Sequence, residues 1–268
     1  MIAVSWPAVV EVLTQVEALS PDVSGTLAFG APTATAGAIF VERGRVCWVA
    51  ARGLGRRLRD LLQHHAAIPD ADLDRVYERC RNERKLLGET LVAEGWLDAR
   101  DLEAALRWHS AESLAVLCAD AAPAIWSPRA DGYHPLTSFT PAEVLDDVIA
   151  RFAPDDVAAA AAELDGLALP DVRIAAFATE GDRVGLRPVA FHGAAASVTE
   201  LATLSRWARA LPLAGRELGT APRLALATTT TGDTIASWWS CGLLYTALCT
   251  ERAQLTRLAS RHLGARPS

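Results

Sequence analysis

The second half of the chain, residues 153–268, is a succession of short apolar segments whose spacing alternates between that of helices and that of strands. Strand-like segments lie at 172–179, 186–191, 224–229, 234–239 and 243–248. Helical segments precede them, separate the second from the third, and follow the last. This order predicts an antiparallel five-stranded sheet flanked by helices.

The first half, residues 1–152, predicts a separate domain built from a β-hairpin and helices. An amphipathic helix comes first, and strands follow at 25–29, 37–41 and 46–50, with Gly44 in the turn between the last two. A helical block at 70–117, a short strand at 125–126 and a capped helix beginning at Thr140 complete it. Pro154 follows that helix, so we expect the domain boundary near 152–156. The whole chain is assigned to the α+β class.

Composition limits the partners that this chain can have. Hydrophobic residues make up 51% of the chain and charged residues 22%, as in globular proteins. The formal net charge is −6, so nucleic acid and anionic membranes are not expected partners, since both attract a basic excess. The sequence shows neither a signal peptide nor an apolar run long enough to span a bilayer. We expect a cytoplasmic protein of bacterial origin, because alanine and arginine are abundant and Lys85 is the only lysine.

Motifs typical of nucleotide binding, metal binding or catalysis are missing from the sequence. Lys85 follows Arg84, so there is no Walker A loop, and segment 53–58 lacks the third glycine of a dinucleotide loop. The six histidines and five cysteines show neither HExxH nor CxxC spacing, and there is no GxSxG turn. We therefore predict no catalytic, cofactor-binding or metal-binding residues. A hydrolase whose serine, histidine and aspartate meet only in the fold stays open as an alternative.

Arginines are concentrated in a short part of this acidic chain. The set that we consider as an anion or acidic-partner patch is Arg43, Arg45, Arg52, Arg56 and Arg57. Two of these residues precede a predicted helix, whose N-terminus also attracts anions. A solvated charged face is the alternative interpretation.

Tryptophans mark a candidate association surface in the second half. Trp238 and Trp239 are consecutive in a predicted strand, so their rings point to opposite faces of the sheet. Trp207 lies beside the apolar stripe of the central helix, which includes Leu201 and Leu204. An uncovered tryptophan is a typical interface anchor. We therefore predict that these five residues form an interface with a second copy or another protein.

Residues 156–263 resemble the Roadblock/dynein-light-chain family. The resemblance rests on a strand pair that turns at Glu180-Gly181-Asp182, a central helix, a three-strand meander and a closing helix. Longin and profilin folds share this architecture. The resemblance implies a domain without an active site that dimerises and often binds Ras-like small GTPases. It therefore predicts a regulatory adaptor in signal transduction.

Residues 8–152 resemble the bacterial PATAN-type domain, which accompanies signalling modules. The motifs are Ser24-Gly25-Thr26-Leu27, the segment 37–46 and the segment 140–145. Within this half, the segment 87–97 resembles the N-terminal domain of secretion and pilus ATPases, some of which bind cyclic di-GMP. The chain departs from that family at two positions. It has Leu86 where the family has arginine, and His109 where the family has glutamine. The alternative function is therefore a sensor whose N-terminal half binds a signalling nucleotide or another regulator.

Overall fold

The structure is a computed structural model. It describes residues 3–31, 34–55, 57–66, 68–83, 85–119, 124–167, 172–180, 185–192, 197–217, 224–230, 232–240 and 242–263. The chain divides into two compact units, residues 1–148 and 149–268. Among the residues described, no helix combines the length and the apolar content needed to cross a membrane.

The first unit contains a four-stranded antiparallel sheet. Its strands are β1 (Gly25–Ala31), β2 (Ala34–Glu42), β3 (Arg45–Ala51) and β4 (Ala124–Pro128), in the order β3-β2-β1-β4. A two-residue turn joins β2 to β3, and both of its residues, Arg43 and Gly44, have positive φ angles of 51° and 71°. This is the turn geometry that matches the twist of a tight hairpin.

The described part of the first half contains six helices. They are α1 (Trp6–Glu17), α2 (Leu58–Ala66), α3 (Asp70–Glu83), α4 (Leu87–Ala93), α5 (Ala99–Ala119) and α6 (Pro141–Phe152). Helices α1 and α5 contact β3, and α6 continues past residue 148. Gly95 ends α4 in the left-handed region, with φ of 74°. The Trp96 N–H donates to the Leu91 carbonyl at 2.9 Å, which satisfies an orphan carbonyl of the last turn.

Among the described residues, the outer edge of β3 has no neighbouring strand, and its backbone groups instead form hydrogen bonds with a residue before α6 and with a side chain of α5. The Val46 N–H donates to the Phe139 carbonyl at 2.8 Å, and the Phe139 N–H donates back at 2.7 Å. Further along, the Val49 N–H donates to Ser110 Oγ of α5 at 3.2 Å. An open edge would present unpaired backbone groups to another strand. Helix α5 and the segment before α6 therefore cover this one.

Helix α6 begins with the predicted capping box. The Glu143 N–H donates to Thr140 Oγ1 at 3.1 Å, and the Thr140 N–H donates to Glu143 Oε2 at 2.6 Å. Asp147, one turn further on, accepts hydrogen bonds from Arg107 Nε of α5 through both carboxylate oxygens, at 3.0 and 3.1 Å. The cap and this charged pair fix the start of α6 against α5.

The second unit contains a five-stranded antiparallel sheet. Its elements are α7 (Pro154–Leu167), β5 (Arg173–Glu180), β6 (Gly185–His192), α8 (Val198–Glu217), β7 (Ala225–Thr228), β8 (Thr234–Ser240), β9 (Leu243–Cys249) and α9 (Arg252–Leu263). The strand order is β6-β5-β9-β8-β7. The first hairpin thus pairs with the last strand of the meander, and α8 makes the connection between hairpin and meander.

Each face of this sheet has its own core. On one face the Trp238 ring stacks on Tyr245, with 5.5 Å between centroids, in a cluster that includes Ala160 of α7 and Leu258 of α9. The buried residues of α8 lie outside this cluster and pack on the opposite face. There Ser237 and Thr246 share a buried hydrogen bond of 2.9 Å. Helices therefore cover both faces.

The α+β class and the five strands of the second half are confirmed. The short strand predicted at 125–126 is confirmed as β4, and the first half goes beyond the predicted hairpin-plus-helices domain because β4 pairs with β1 and completes a four-stranded sheet. Helix α2 begins at Leu58, after the glycine-containing segment 53–55. Gly53 has φ of 85° and belongs to a turn.

Candidate functional site

An apolar cavity of about 300 Å³ lies in the first unit, between the sheet and the helices. The face of the sheet that carries Phe40 and Trp48 forms one wall, since these residues pair across β2 and β3. The other walls come from α2, α3, α4, the N-terminal part of α5 and the segment that contains Tyr133 and Pro135. Ligand sites in proteins commonly have this concave, mainly apolar character.

Aromatic rings build the sheet-side wall of the cavity. Phe40 stacks on Trp48 at 5.1 Å between centroids, and the Tyr133 ring meets Phe40 edge-on at 5.5 Å. The Tyr133 hydroxyl lies 2.6 Å from Thr26 Oγ1. The backbone N–H of Tyr133 donates to Glu42 Oε2 at 2.6 Å. Both ends of Tyr133 are thus held, so the three rings form a fixed surface.

His109 of α5 holds the outer side of the Trp48 ring. The Trp48 indole N–H donates to His109 Nδ1 at 3.2 Å. Burial lowers the pKa of His109, which is only 5% exposed. An indole N–H is a donor only, so Nδ1 accepts this bond when the ring is neutral with its proton on Nε2, whereas a proton on Nδ1 would be donated to the Val49 carbonyl, 3.1 Å away. In the first of these tautomers the indole nitrogen is satisfied inside the protein, and Trp48 offers the cavity carbon surface.

Cys47 also lines the cavity, but it does not have the properties of a nucleophile. Its side chain is buried, and burial raises the pKa of its thiol to about 12, with the nearby Glu42 carboxylate adding to the effect. The reactive form of cysteine is the thiolate. At neutral pH Cys47 therefore contributes an apolar thiol to the wall.

Two charged residues lie at the cavity, and their surroundings differ. Arg59 of α2 forms an ion pair with Asp74 and lies 5.8 Å from the Tyr77 ring centroid. Glu89 of α4 accepts one long hydrogen bond through Oε1, 3.4 Å from the Leu136 backbone nitrogen. A carboxylate has about four acceptor positions. Of the two charged lining residues, Glu89 therefore retains acceptor positions beyond this bond, whereas the charge of Arg59 is neutralised within the unit.

Helices α4 and α5 approach closely on the other side of the cavity because of Gly88. A methyl group on Gly88 would lie 2.4 Å from Leu102 Cδ1, well inside van der Waals contact.

Exposed apolar side chains lead from the cavity to solvent. Tyr77 and Leu86 line the cavity and are also about two-fifths exposed. The cavity therefore opens through an apolar mouth.

The predicted arginine patch is not one surface. Arg43 precedes β3 and Arg45 begins it, whereas Arg52 and Arg57 follow it. The seven residues of β3 therefore separate the two groups by roughly 20 Å. Arg45 is also engaged, because it donates to Ser138 Oγ at 2.9 Å and to the Ser138 carbonyl at 2.7 Å. Arg43, Arg52 and Arg57 are exposed, and Arg56 lies outside the described residues. The arginines are close in sequence, but the strand keeps them apart.

The predicted interface residues fall into two groups. Leu201, Leu204 and Trp238 are buried within the second unit, so these side chains belong to its own core and cannot face a partner. Trp207 is half-buried on α8, and Trp239 is 46% exposed on β8. Only the last two are placed where a partner could cover them.

Sequence reasoning missed the cavity. Its aromatic wall comes from residues far apart in the chain, Phe40, Trp48 and Tyr133, and no spacing rule connects them. The signal that could have located it is the segment Leu87-Gly88-Glu89, which was recognised only as a resemblance. A glycine inside a helical segment often marks a close helix contact.

Within the described ranges, no three His, Cys, Asp or Glu side chains are grouped so that they could hold a metal ion. Comparison of the chain with models of protein families, with characterised proteins and with solved structures gives no match. The two units and the cavity therefore have to be interpreted from their own residues.

Proposed function

We propose that this chain is a non-enzymatic regulatory adaptor of the bacterial cytoplasm whose second unit associates with a second copy in the manner of Roadblock domains. The observation that carries the proposal is the strand order β6-β5-β9-β8-β7 with α8 on one face and α7 and α9 on the other. The Roadblock resemblance predicts a central helix between a hairpin and a meander, and this arrangement fits it.

The surface offered for association lies beside α8. Trp239 is on the α8 face of the sheet, because strand alternation sends it opposite to Trp238. Its cross-strand neighbour Leu244 is buried, while Trp239 itself remains 46% exposed. A large aromatic side chain at the margin of a covered face is typical of an interface anchor. Trp207 of α8 adds a second, half-buried ring to that face of the unit.

The groups that most resemble catalytic residues support a binding role. Cys47 keeps its proton because burial raises its pKa to about 12, and His109 is held neutral between Trp48 and its own helix. Neither is placed as an activated nucleophile with a general base beside it. We therefore propose association, and not catalysis, as the activity of the chain.

The experiment compares Trp239→Ala with the wild-type chain by sedimentation velocity over a range of concentrations. Loss of an anchoring tryptophan commonly costs about 2 kcal/mol or more, so the dissociation constant of the dimer should rise by about 30-fold. Trp96→Ala is the matched control, because Trp96 is similarly exposed, at 40%, in the first unit.

An unchanged dissociation constant in Trp239→Ala would contradict the proposed surface. A wild-type chain that stays monomeric but binds a Ras-like small GTPase through Trp239 would replace self-association by docking. An equal loss in Trp96→Ala would assign the association to the first unit.

A further inference from the structure

We propose that the cavity of the first unit is a binding site for a small, uncharged molecule of two fused aromatic rings that presents one hydrogen-bond donor to Glu89. This site is independent of the association surface on the second unit, since all of its lining residues belong to residues 1–148.

The size of the cavity sets the size of the ligand. An apolar cavity of about 150 Å³ accepts one benzene ring, and sites for small molecules begin at about 300 Å³. This cavity, at about 300 Å³, has room for two fused rings. A cyclic dinucleotide, with two bases, two sugars and two phosphates, is far larger.

The chemistry of the walls favours a flat aromatic molecule. Phe40 and Trp48 are stacked with an interplanar angle of 12°, so the rings cover part of each other and line the cavity as one parallel aromatic pair. The Trp48 N–H and the Tyr133 hydroxyl already have partners in the protein, at 3.2 and 2.6 Å. A ligand with many polar groups would lose water and find few partners, which costs binding free energy.

The negative charge of Glu89 favours a ligand that carries a hydrogen-bond donor over one that carries an anionic group. Glu89 retains acceptor positions beyond its long bond to the Leu136 N–H, and the Arg59 guanidinium is paired with Asp74. An N–H or O–H group on the ligand can therefore donate to Glu89. A carboxylate or phosphate would instead approach Glu89 with like charge, which is unfavourable at close range.

A ligand would enter the cavity past Leu86. This residue lines the cavity, yet it is 42% exposed and precedes α4 with an extended backbone, φ −77° and ψ 128°. A larger side chain at this position would obstruct the cavity without entering the core. Leu86 thus provides a blocking variant that leaves folding intact.

The test uses three probes that share a fused two-ring core and isothermal titration calorimetry on the full chain. Indole has one N–H donor, benzofuran has nearly the same shape but replaces that donor by oxygen, and indole-3-acetate adds a negatively charged carboxymethyl group. We expect indole to bind, benzofuran to bind about ten-fold more weakly because the bond to a charged acceptor is lost, and indole-3-acetate to show no binding.

The variants separate the cavity from the rest of the chain. Leu86→Trp should abolish indole binding, and Glu89→Gln should reduce the preference for indole over benzofuran while keeping the side-chain shape. Leu226→Trp is the matched control, because Leu226 is an exposed leucine, 49% accessible, on β7 of the second unit. Circular dichroism and thermal unfolding confirm that each variant is folded.

Three results would overturn the proposal. One is no binding of indole to the folded wild-type chain at millimolar concentration. Another is equal indole binding by wild type and Leu86→Trp. The third is binding of cyclic di-GMP that Leu86→Trp abolishes, since it would assign the cavity to a nucleotide. Because all three concern ligand binding, they are distinct from a failure of self-association.

Discussion

The indole N–H of Trp48 donates to His109 Nδ1 at 3.2 Å, and this bond joins strand β3 to helix α5. The same imidazole nitrogen lies 3.3 Å from Ser113 Oγ and 3.1 Å from the Val49 carbonyl oxygen. A proton on Nδ1 would replace the bond from Trp48 by one donated to the Val49 carbonyl, since an indole N–H cannot accept. The protonation state of one buried histidine is therefore linked to the wall of the cavity and to the edge of the sheet.

The contribution of His109 to the stability of the first unit should fall as the pH decreases below about 6.5, the ordinary pKa of histidine. Burial lowers the pKa of His109 in the folded chain, so the unfolded chain takes up a proton first. The free energy of unfolding then decreases until the pH passes the folded pKa, where the loss levels off. Urea unfolding at a series of pH values from 8 to 5 measures this slope.

His109→Asn isolates this contribution from the other five histidines of the chain. The Asn Oδ1 atom can take the acceptor position of Nδ1 without titrating. We expect a lower stability at pH 8 and a flatter pH profile than in wild type. Parallel profiles for the two proteins would contradict the assignment of a neutral His109.

Ser110→Ala should weaken the closed edge of β3. The Ser110 hydroxyl accepts the Val49 N–H at 3.2 Å, and the site is fully buried. Its loss leaves a buried donor without a partner, which costs about 1–3 kcal/mol. Hydrogen exchange of the Val49 amide should become faster in this variant. Exchange at the wild-type rate would show that another group holds this amide.

Gly88→Ala should destabilise the chain although alanine is the better helix former. In an open helix this change stabilises by up to about 1 kcal/mol. Here the added methyl meets Leu102 Cδ1 at 2.4 Å, and overpacking of this kind costs about 1–3 kcal/mol. Gly55→Ala, where nothing lies within 4 Å and φ is not positive, is the control and should be close to neutral. A higher melting temperature for Gly88→Ala would show that Leu102 moves aside freely.

Cys47 should resist alkylation in the native chain. Its thiol pKa is raised to about 12 and its side chain is 5% exposed, so thiolate is scarce and access is poor at pH 8. Iodoacetamide treatment followed by peptide mass spectrometry should modify Cys47 only after denaturation. Rapid labelling of the native protein would indicate that the cavity wall opens.

Much of the second unit could be predicted from sequence because its signals are local. Each strand is short, apolar and bounded by turn residues, and Ser197 Oγ accepts the Glu200 N–H at 3.3 Å at the start of α8, as a cap should. The capping box at Thr140 is confirmed for the same reason. Such features depend only on neighbours within about four residues.

What could not be predicted depends on residues that are distant in the chain. The pairing of β1 with β4 joins Leu27 to Trp126, nearly a hundred residues apart, and no local pattern determines that register. The same limit explains the cavity, whose walls come from two strands, four helices and the segment that contains Tyr133, and the arginine patch, where a strand separates neighbours in sequence. Burial of Leu201, Leu204 and Trp238 likewise depends on which sheet face each helix covers.

The mass of the wild-type chain in solution tests the central claim most directly. Static light scattering coupled to size-exclusion chromatography, run from low to high micromolar concentration, should show a rise from the chain mass of 28.5 kDa to twice that mass. Trp239→Ala should move this transition to higher concentration. A constant mass of one chain throughout, together with no binding of a Ras-like GTPase, would contradict the proposal that the second unit is an association domain.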